Sequence, residues 1–379
     1  DALSRFLLEW QGLSSPRRGP DALYAAVEQL QGAPIPVTTL EAEILPARVL
    51  GYHPRDLDEL MASDEVLWRG VEPLSPGVGR VALYPAESFP LLAPAPTPAE
   101  GELAARVRDV LARRGAIFFA EVAREVGRFP NDVLAALWDL VWSGEITNDT
   151  LAPLRSLARG DKEGSRRPRG PRGRRPSLPG SEGRWSLLPS LSGSATERGA
   201  ALARTLLERH GVLTREAVQA EGVAGGFGAV YPVLRAMEDA GRARRGLFVA
   251  GLGAAQFALP GADDRLRALR EVAAKPDVRI VAATDPAQPY GAALRWPEHA
   301  GGLRPRREAG AIVVLADGRL VAWMGRTEKS LLTFLPDVEP ARSSAVDAIV
   351  HALGALVDEG RRRGLLVVSV DGAPVHASP

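Results

Sequence analysis

The sequence predicts an α+β protein: three copies of one small unit, each built from three helices and a two-stranded hairpin, followed by a compact strand-rich α/β domain. Two observations carry this prediction. One ending recurs three times along the chain: an amphipathic helix, a glycine or small polar stop, then strand, turn and strand. Beyond Gly261 the pattern changes to short apolar runs bounded by turn residues.

The three endings cover residues 57–70 with 79–85, 137–149 with 183–189, and 234–249 with 255–261. In the second, Leu137, Leu140 and Val141 fall at i, i+3 and i+4, one face of a helix. Leu234 and Met237 do the same in the third. Gly144 and Gly241 stand where a helix closes on a residue of positive φ. Trp185 and Leu187, and Arg80, Ala82 and Tyr84, alternate as strand residues do. Two more helical stretches precede each ending: residues 23–30 and 40–49, 103–112 and 118–126, and 200–207 and 215–220, the last preceded by Thr214 as an N-cap. Three helices closed by a hairpin is the winged-helix plan, in which the third helix usually reads DNA and the hairpin is the wing. Such modules also serve for dimerisation and protein docking. Residues 131–143, the third helix of the second copy, carry no arginine or lysine, which weighs against a simple major-groove reader there.

These signals set the expected domains at 1–95, 96–190, 191–262 and 263–379. Residues 85–100, rich in proline and alanine, mark the first boundary. An insertion at 155–183 interrupts the second wing, and its proline, glycine and arginine content cannot build a core. In the last domain, residues 278–282, 311–315, 320–324, 331–335 and 365–370 read as strands, with a hairpin turn at Asp317-Gly318 and a helix over 344–362. Several strands and one helix predict a β-barrel-like domain or a twisted sheet. The chain stops at Ser378-Pro379 without a closing element, and a short C-terminal piece is expected beyond it.

Composition excludes more than it assigns. Of 47 basic residues only Lys162, Lys275 and Lys329 are lysines, against 46 acidic ones, for a net charge of +1. Arginine suits phosphate, although the same bias arises in GC-rich genomes. With no cysteine there are no disulfides and no thiolate chemistry. No apolar run is long enough to span a bilayer and residues 1–10 carry no signal pattern, so the expected compartment is the cytoplasm, with no membrane partner. There is no P-loop, no G-x-S-x-G elbow, and no metal-ligand spacing among His53, His210, His299, His351 and His376. Neither a metal nor a cofactor is therefore expected in this chain. Residues 225–228, glycine-rich, read as a tight turn.

Two places offer catalytic chemistry. Gln29 and Gln31, two apart at a helix end, could aim their amides at one water. Asp285, at a strand end in Thr284-Asp285-Pro286, could serve as a base or stabilise a cationic sugar. The candidate DNA contacts are Arg155, Arg166, Arg167, Arg169, Arg172, Arg174 and Arg175 in the insertion, and Arg242, Arg244 and Arg245 on the third wing.

Residues 138–155 (WDLVWSGEITNDTLAPLR), 183–189 (GRWSLLP), 225–261 and 284–291 (TDPAQPYG), with RFLLEWQG at 5–12, make the sequence resemble the C-terminal region of the bacterial large helicase-related protein, Lhr, over essentially its whole length. The resemblance implies an ATP- and Mg-dependent 3′-to-5′ helicase core elsewhere in the same polypeptide and a role in DNA repair. It also implies an architecture related to winged-helix DNA glycosylases, uracil-DNA glycosylase activity in some members, and self-assembly into tetramers. The glycosylase relatives carry a Gln-x-Gln motif whose letters Gln29 and Gln31 match. Three readings stand: a region that holds single-stranded or duplex DNA for the helicase and assembles with copies of itself, a glycosylase that excises uracil or a damaged base, and a non-catalytic oligomerisation scaffold.

Overall fold

The computed structural model describes residues 1–75, 78–160, 178–253, 255–271, 277–299 and 303–377. After α1 (Ala2–Trp10), one order of elements occurs three times, with an extra helix between the last two strands of the second copy. The first copy runs α2 (Pro20–Leu30), β1 (Ile35–Pro36), α3 (Val37–Thr39) continuing into a π-helical turn (Leu40–Ile44), α4 (Pro54–Ala62), β2 (Val66–Ser75) and β3 (Val78–Pro85). A short α5 (Phe89–Leu92) leads to the second: α6 (Glu102–Arg114), β4 (Ile117–Phe118), α7 (Phe119–Val126), α8 (Pro130–Trp142), β5 (Ile146–Asn148), α9 (Ala152–Gly160) and β6 (Arg184–Leu187). The third is α10 (Ala195–His210), β7 (Val212–Leu213), α11 (Arg215–Ala220), α12 (Gly226–Asp239), β8 (Arg244–Gly246) and β9 (Gln256–Ala258). Each copy closes with a three-stranded antiparallel sheet of one topology, β1-β3-β2, β4-β6-β5 and β7-β9-β8.

Local chemistry sets the helix ends. Pro20 and Pro130 occupy the first turns of α2 and α8, where a missing N–H costs nothing. Thr214 caps α11, its hydroxyl accepting from the Ala217 N–H. Gly144 and Gly241 follow α8 and α12 with φ of 77° and 70°, the left-handed conformation that a side chain resists. The first strand of each copy has only two residues, too short for a period-2 pattern, and leaves no mark in the sequence.

The chain forms two compact units. One comprises Arg18–Glu41 and Val49–Ala201, the other Asp1–Arg17, Ala42–Arg48 and Leu202–Pro379. In the first of these, Trp68 and Trp185 are wholly buried. The Trp68 indole N–H donates to the Asn148 carbonyl at 2.8 Å, and the Thr147 hydroxyl donates to the Trp68 carbonyl at 2.7 Å. These bonds tie β2 of the first copy to β5 of the second, so neither closing hairpin is an independent flap.

The other unit contains α13 (Ala262–Ala268), β10 (Val278–Ala282), β11 (Ile312–Ala316), β12 (Arg319–Met324), β13 (Ser330–Thr333), α14 (Ala341–Asp358), β14 (Ser369–Val370) and β15 (Ala373–Pro374). The six strands form one sheet in chain order, antiparallel except for β13 and β14. Asp317 (φ 49°) and Gly318 (φ 74°) make the expected hairpin turn. Strand alternation sorts the core: Val313 and Leu315 pack with Leu8, Leu13 and Trp323, whereas Ile312 and Val314 pack on Ala345, Ile349, Ala352 and Leu356 of α14. Among the described residues the sheet is open, not a closed barrel. Its last two strands have two residues each, too short for another edge to close on.

Candidate nucleic-acid interface

The expected site residues fall in both units. Gln29 is half-buried in the last turn of α2. Gln31 follows as the C-cap, its backbone extended at φ −54° and ψ 126°, and its side-chain oxygen accepts from the Ser88 hydroxyl at 2.7 Å. Buried Leu30 between them pins the helix end. The two amides thus sit on a fixed, partly exposed turn, a setting in which amide groups can orient a water molecule.

Asp285 belongs to the other unit and has a different setting. Arg48 grips it bidentately, at 2.7 Å to Oδ1 and 2.8 Å to Oδ2, with the two side chains 3% and 1% exposed. Oδ1 also accepts from the Ala287 N–H at 2.8 Å. The Arg48 guanidinium donates further to the Gln11 side-chain oxygen at 2.9 Å and the Ile44 carbonyl at 3.1 Å, and Gln11 donates to the Arg209 carbonyl. With both carboxylate oxygens occupied and no solvent access, this geometry offers no route for a substrate to reach Asp285. Sequence alone could not reveal its partner, which lies 237 residues away.

Of the candidate DNA-contacting arginines, Arg166, Arg167, Arg169, Arg172, Arg174 and Arg175 lie outside the described residues. Arg155, in α9, is ion-paired to Glu41 at 3.0 Å and to Asp58 at 2.5 Å, a three-member cluster whose charge is spent within the unit. On the third closing hairpin Arg242 is exposed and makes no ion pair among the described residues. Arg244 reaches Asp263 at 3.0 Å while 56% exposed, and Arg245 reaches Glu238 at 3.3 Å while 45% exposed. The Arg245 pair is the more open of the two and weak, so Arg245 can exchange Glu238 for phosphate at small cost, whereas Asp263 is only 8% exposed and holds Arg244 more firmly. The glycine-rich residues 225–228 bring Gly225 (φ 77°) to the N-cap of α12, a tight turn as expected.

One constellation had no sequence signal. A cleft of about 1160 Å³ beside β13 and α14 is lined in part by His299, Thr333 and Asp371. Asp371 accepts from the Thr333 N–H at 2.7 Å and hydroxyl at 2.6 Å, and pairs with His299 Nε2 at 2.8 Å. Burial works to raise the Asp371 carboxyl, but the Thr333 hydrogen bonds and His299 outweigh it and hold the pKa below the usual carboxylate range. His299 and Asp371 are 72 residues apart, and Asp371-Gly372 reads in the sequence only as a turn. Among the described residues no group of three or more His, Asp or Glu could hold a metal ion. No helix among them is long and apolar enough to cross a membrane.

Two family models, both described as "Large helicase-related protein, winged-helix domain", match residues 1–86 and 192–278. A Mycolicibacterium smegmatis protein named "Lhr helicase/ probable uracil glycosylase" is 42% identical over 99% of the chain. An Escherichia coli K12 protein named "Lhr helicase/uracil glycosylase" is 35% identical over 99% of it. The chain corresponds to the C-terminal winged-helix region of the Lhr family. It spans about a quarter of those relatives' length, 26% and 27%, and the helicase motor of Lhr is not in it. Among solved structures, the DNA glycosylase AlkZ of Streptomyces sahachiroi has a similar fold, with a TM-score of 0.56 and 16% identity over 97% of this Lhr region and 98% of AlkZ.

Proposed function

We propose that this Lhr region is a DNA-binding and assembly platform for an ATP-dependent repair helicase, built from three winged-helix domains in tandem at 1–95, 96–190 and 191–262, with an α+β domain over 263–379. The observation that carries this reading is the threefold recurrence of helix, strand, helix, helix, strand, strand with one sheet topology. The exposed arginines of the third wing, Arg242, Arg244 and Arg245, supply the phosphate contacts, and the insertion arginines add to them. The helicase core of the same polypeptide and further copies of the chain are the protein partners, and ATP and Mg act at that core. We assign Asp285 to the scaffold and not to catalysis. The test is fluorescence anisotropy of labelled single-stranded and duplex oligonucleotides at stepped salt. Binding that weakens steeply with salt supports the reading, and no binding at low salt refutes it in favour of an oligomerisation scaffold.

A second reading adds catalysis, favoured by the glycosylase wording in both relatives' names. Here the region extrudes a base and Gln29 and Gln31 position the attacking water. Incubation with a uracil-containing oligonucleotide, then alkali, gives strand breaks if this is right. Gln31→Ala reduces them at unchanged DNA affinity. Cleavage that survives Gln29→Ala and Gln31→Ala together removes the glutamines from the mechanism.

A further inference from the structure

In the second repeat the exposed positions of α8 are Pro130, Asn131, Asp132, Ala135 and Asp139, a face that repels a phosphate backbone. The turn entering that helix is the opposite. Phe129, its N-cap, is 79% exposed, the most exposed large apolar side chain among the described residues. Arg128 precedes it, and Arg124 lies in the last turn of α7, which Gly127 ends in the left-handed conformation (φ 69°). Both arginines are exposed and make no ion pair among the described residues. Arg114 of α6 draws Glu121 and Glu125 to itself, at 3.7 and 2.9 Å, and neither carboxylate forms an ion pair with Arg124 or Arg128 among the described residues. Pro130 fixes the backbone just after the ring, so Phe129 is presented from a stiff turn.

We propose that Phe129 is a stacking platform for an unpaired base of single-stranded DNA, with Arg124 and Arg128 holding the flanking phosphates. The inference rests on the DNA-binding reading above and gives that interface a place and a ligand class. A flat aromatic ring in water with unspent guanidiniums beside it is the pairing that single-strand binders use, and it tolerates any sequence because every base has a π-face. It also explains how a repeat whose third helix bears no basic residue takes part in binding: the contact is made at the entrance of the helix, not along it.

The test uses the 379-residue chain and a labelled oligothymidylate. Phe129→Ala weakens binding about 5- to 150-fold, the range for losing one stacked base. Phe129→Leu, which keeps apolar bulk without a π-face, weakens it likewise, whereas Phe129→Trp retains affinity. Oligothymidylate quenches the emission of the Phe129→Trp chain beyond any change it causes in the wild-type chain. Arg124→Ala with Arg128→Ala flattens the slope of log affinity against log salt by about 1.4, at roughly 0.7 per single-strand contact. Unchanged affinity of Phe129→Ala, in a chain whose wild type binds, overturns this inference alone. Absence of wild-type binding overturns the DNA reading with it. If Phe129→Ala disperses an assembly by light scattering while each chain binds DNA as before, the ring contacts protein and the proposal fails.

Discussion

Replacing Asp285 with alanine separates a scaffold role from a catalytic one. The substitution leaves the Arg48 guanidinium 3% exposed with no carboxylate, and its Nε already lacks a partner. Removing one member of a buried ion pair costs about 3–5 kcal/mol, most of it the uncompensated charge left behind. Here the surviving contacts of Arg48 are to Gln11 and Ile44, both neutral acceptors, so the penalty falls in that range. The Ala287 N–H also loses its acceptor. At a slope of roughly 2–3 kcal/mol per molar urea, the unfolding midpoint of the unit holding Asp285 drops by about 1–2.5 M. The unit with Trp68 and Trp185 serves as internal control, and its transition stays in place. Urea titration followed by near-UV circular dichroism and tryptophan emission reads both. Replacing the pair together, Arg48→Met with Asp285→Leu, costs less than either single change, because no orphan charge remains. If Asp285→Ala leaves both midpoints unmoved and abolishes base excision, the scaffold argument is wrong and Asp285 is the base.

Glu221 is buried against Arg209 and His210, and burial raises its carboxyl while Arg209 and the His210 bond outweigh it, bringing the pKa down to about 2. A depressed carboxyl contributes stability that is in place above its ordinary 4.5 and is lost as pH falls toward 2; Glu221→Gln therefore destabilises at neutral pH and flattens the acid limb between those values, read by melting temperature against pH. Trp68→Phe leaves the Asn148 carbonyl without its 2.8 Å donor and costs about 1–3 kcal/mol in the unit that holds it, measured by chemical denaturation. Alanine at Arg242 and Arg245 together lowers the salt slope of single-strand binding by about 1.4 without moving the melting temperature, whereas Arg155→Ala does the reverse, since Arg155 is spent on Glu41 and Asp58.

What the sequence disclosed and what it hid follow from interaction range. Helices α6, α8 and α10 were legible because periodic apolar residues and glycine stops are local signals, and so was the Asp317-Gly318 turn. The two-residue strands β1, β4 and β7 were not, because they exist only through pairing with distant partners. Residues 365–370 looked like one strand, yet only Ser369–Val370 pairs, and Leu366 is 70% exposed. The same limit governs the site. Gln29 and Gln31 stood out by spacing alone, while the burial of Asp285 depends on Arg48 and the Asp371–His299 pair spans 72 residues.

Arginine content therefore says little about where DNA binds until each guanidinium's partner is known. Arg48, Arg209 and Arg362 are buried or largely buried against carboxylates, and they stitch their unit together. Arg69 is buried at 7% exposure with its Nε unpartnered, and burial lowers its pKa, so it too is a cost carried inside the fold. With 47 basic against 46 acidic residues, the chain as a whole carries almost no net charge to draw DNA to it. An anionic polymer is attracted by what is left over: among the described residues the exposed arginines outside any ion pair include Arg124 and Arg128 beside Phe129, Arg235 on α12, and Arg242 at the third hairpin, next to the loosely paired Arg245. What singles out the first of these groups is the ring: a flat, exposed Phe129 between unpaired guanidiniums suits an unpaired base, which a stacked duplex does not offer, and the acidic surface of α8 repels a backbone laid along that helix.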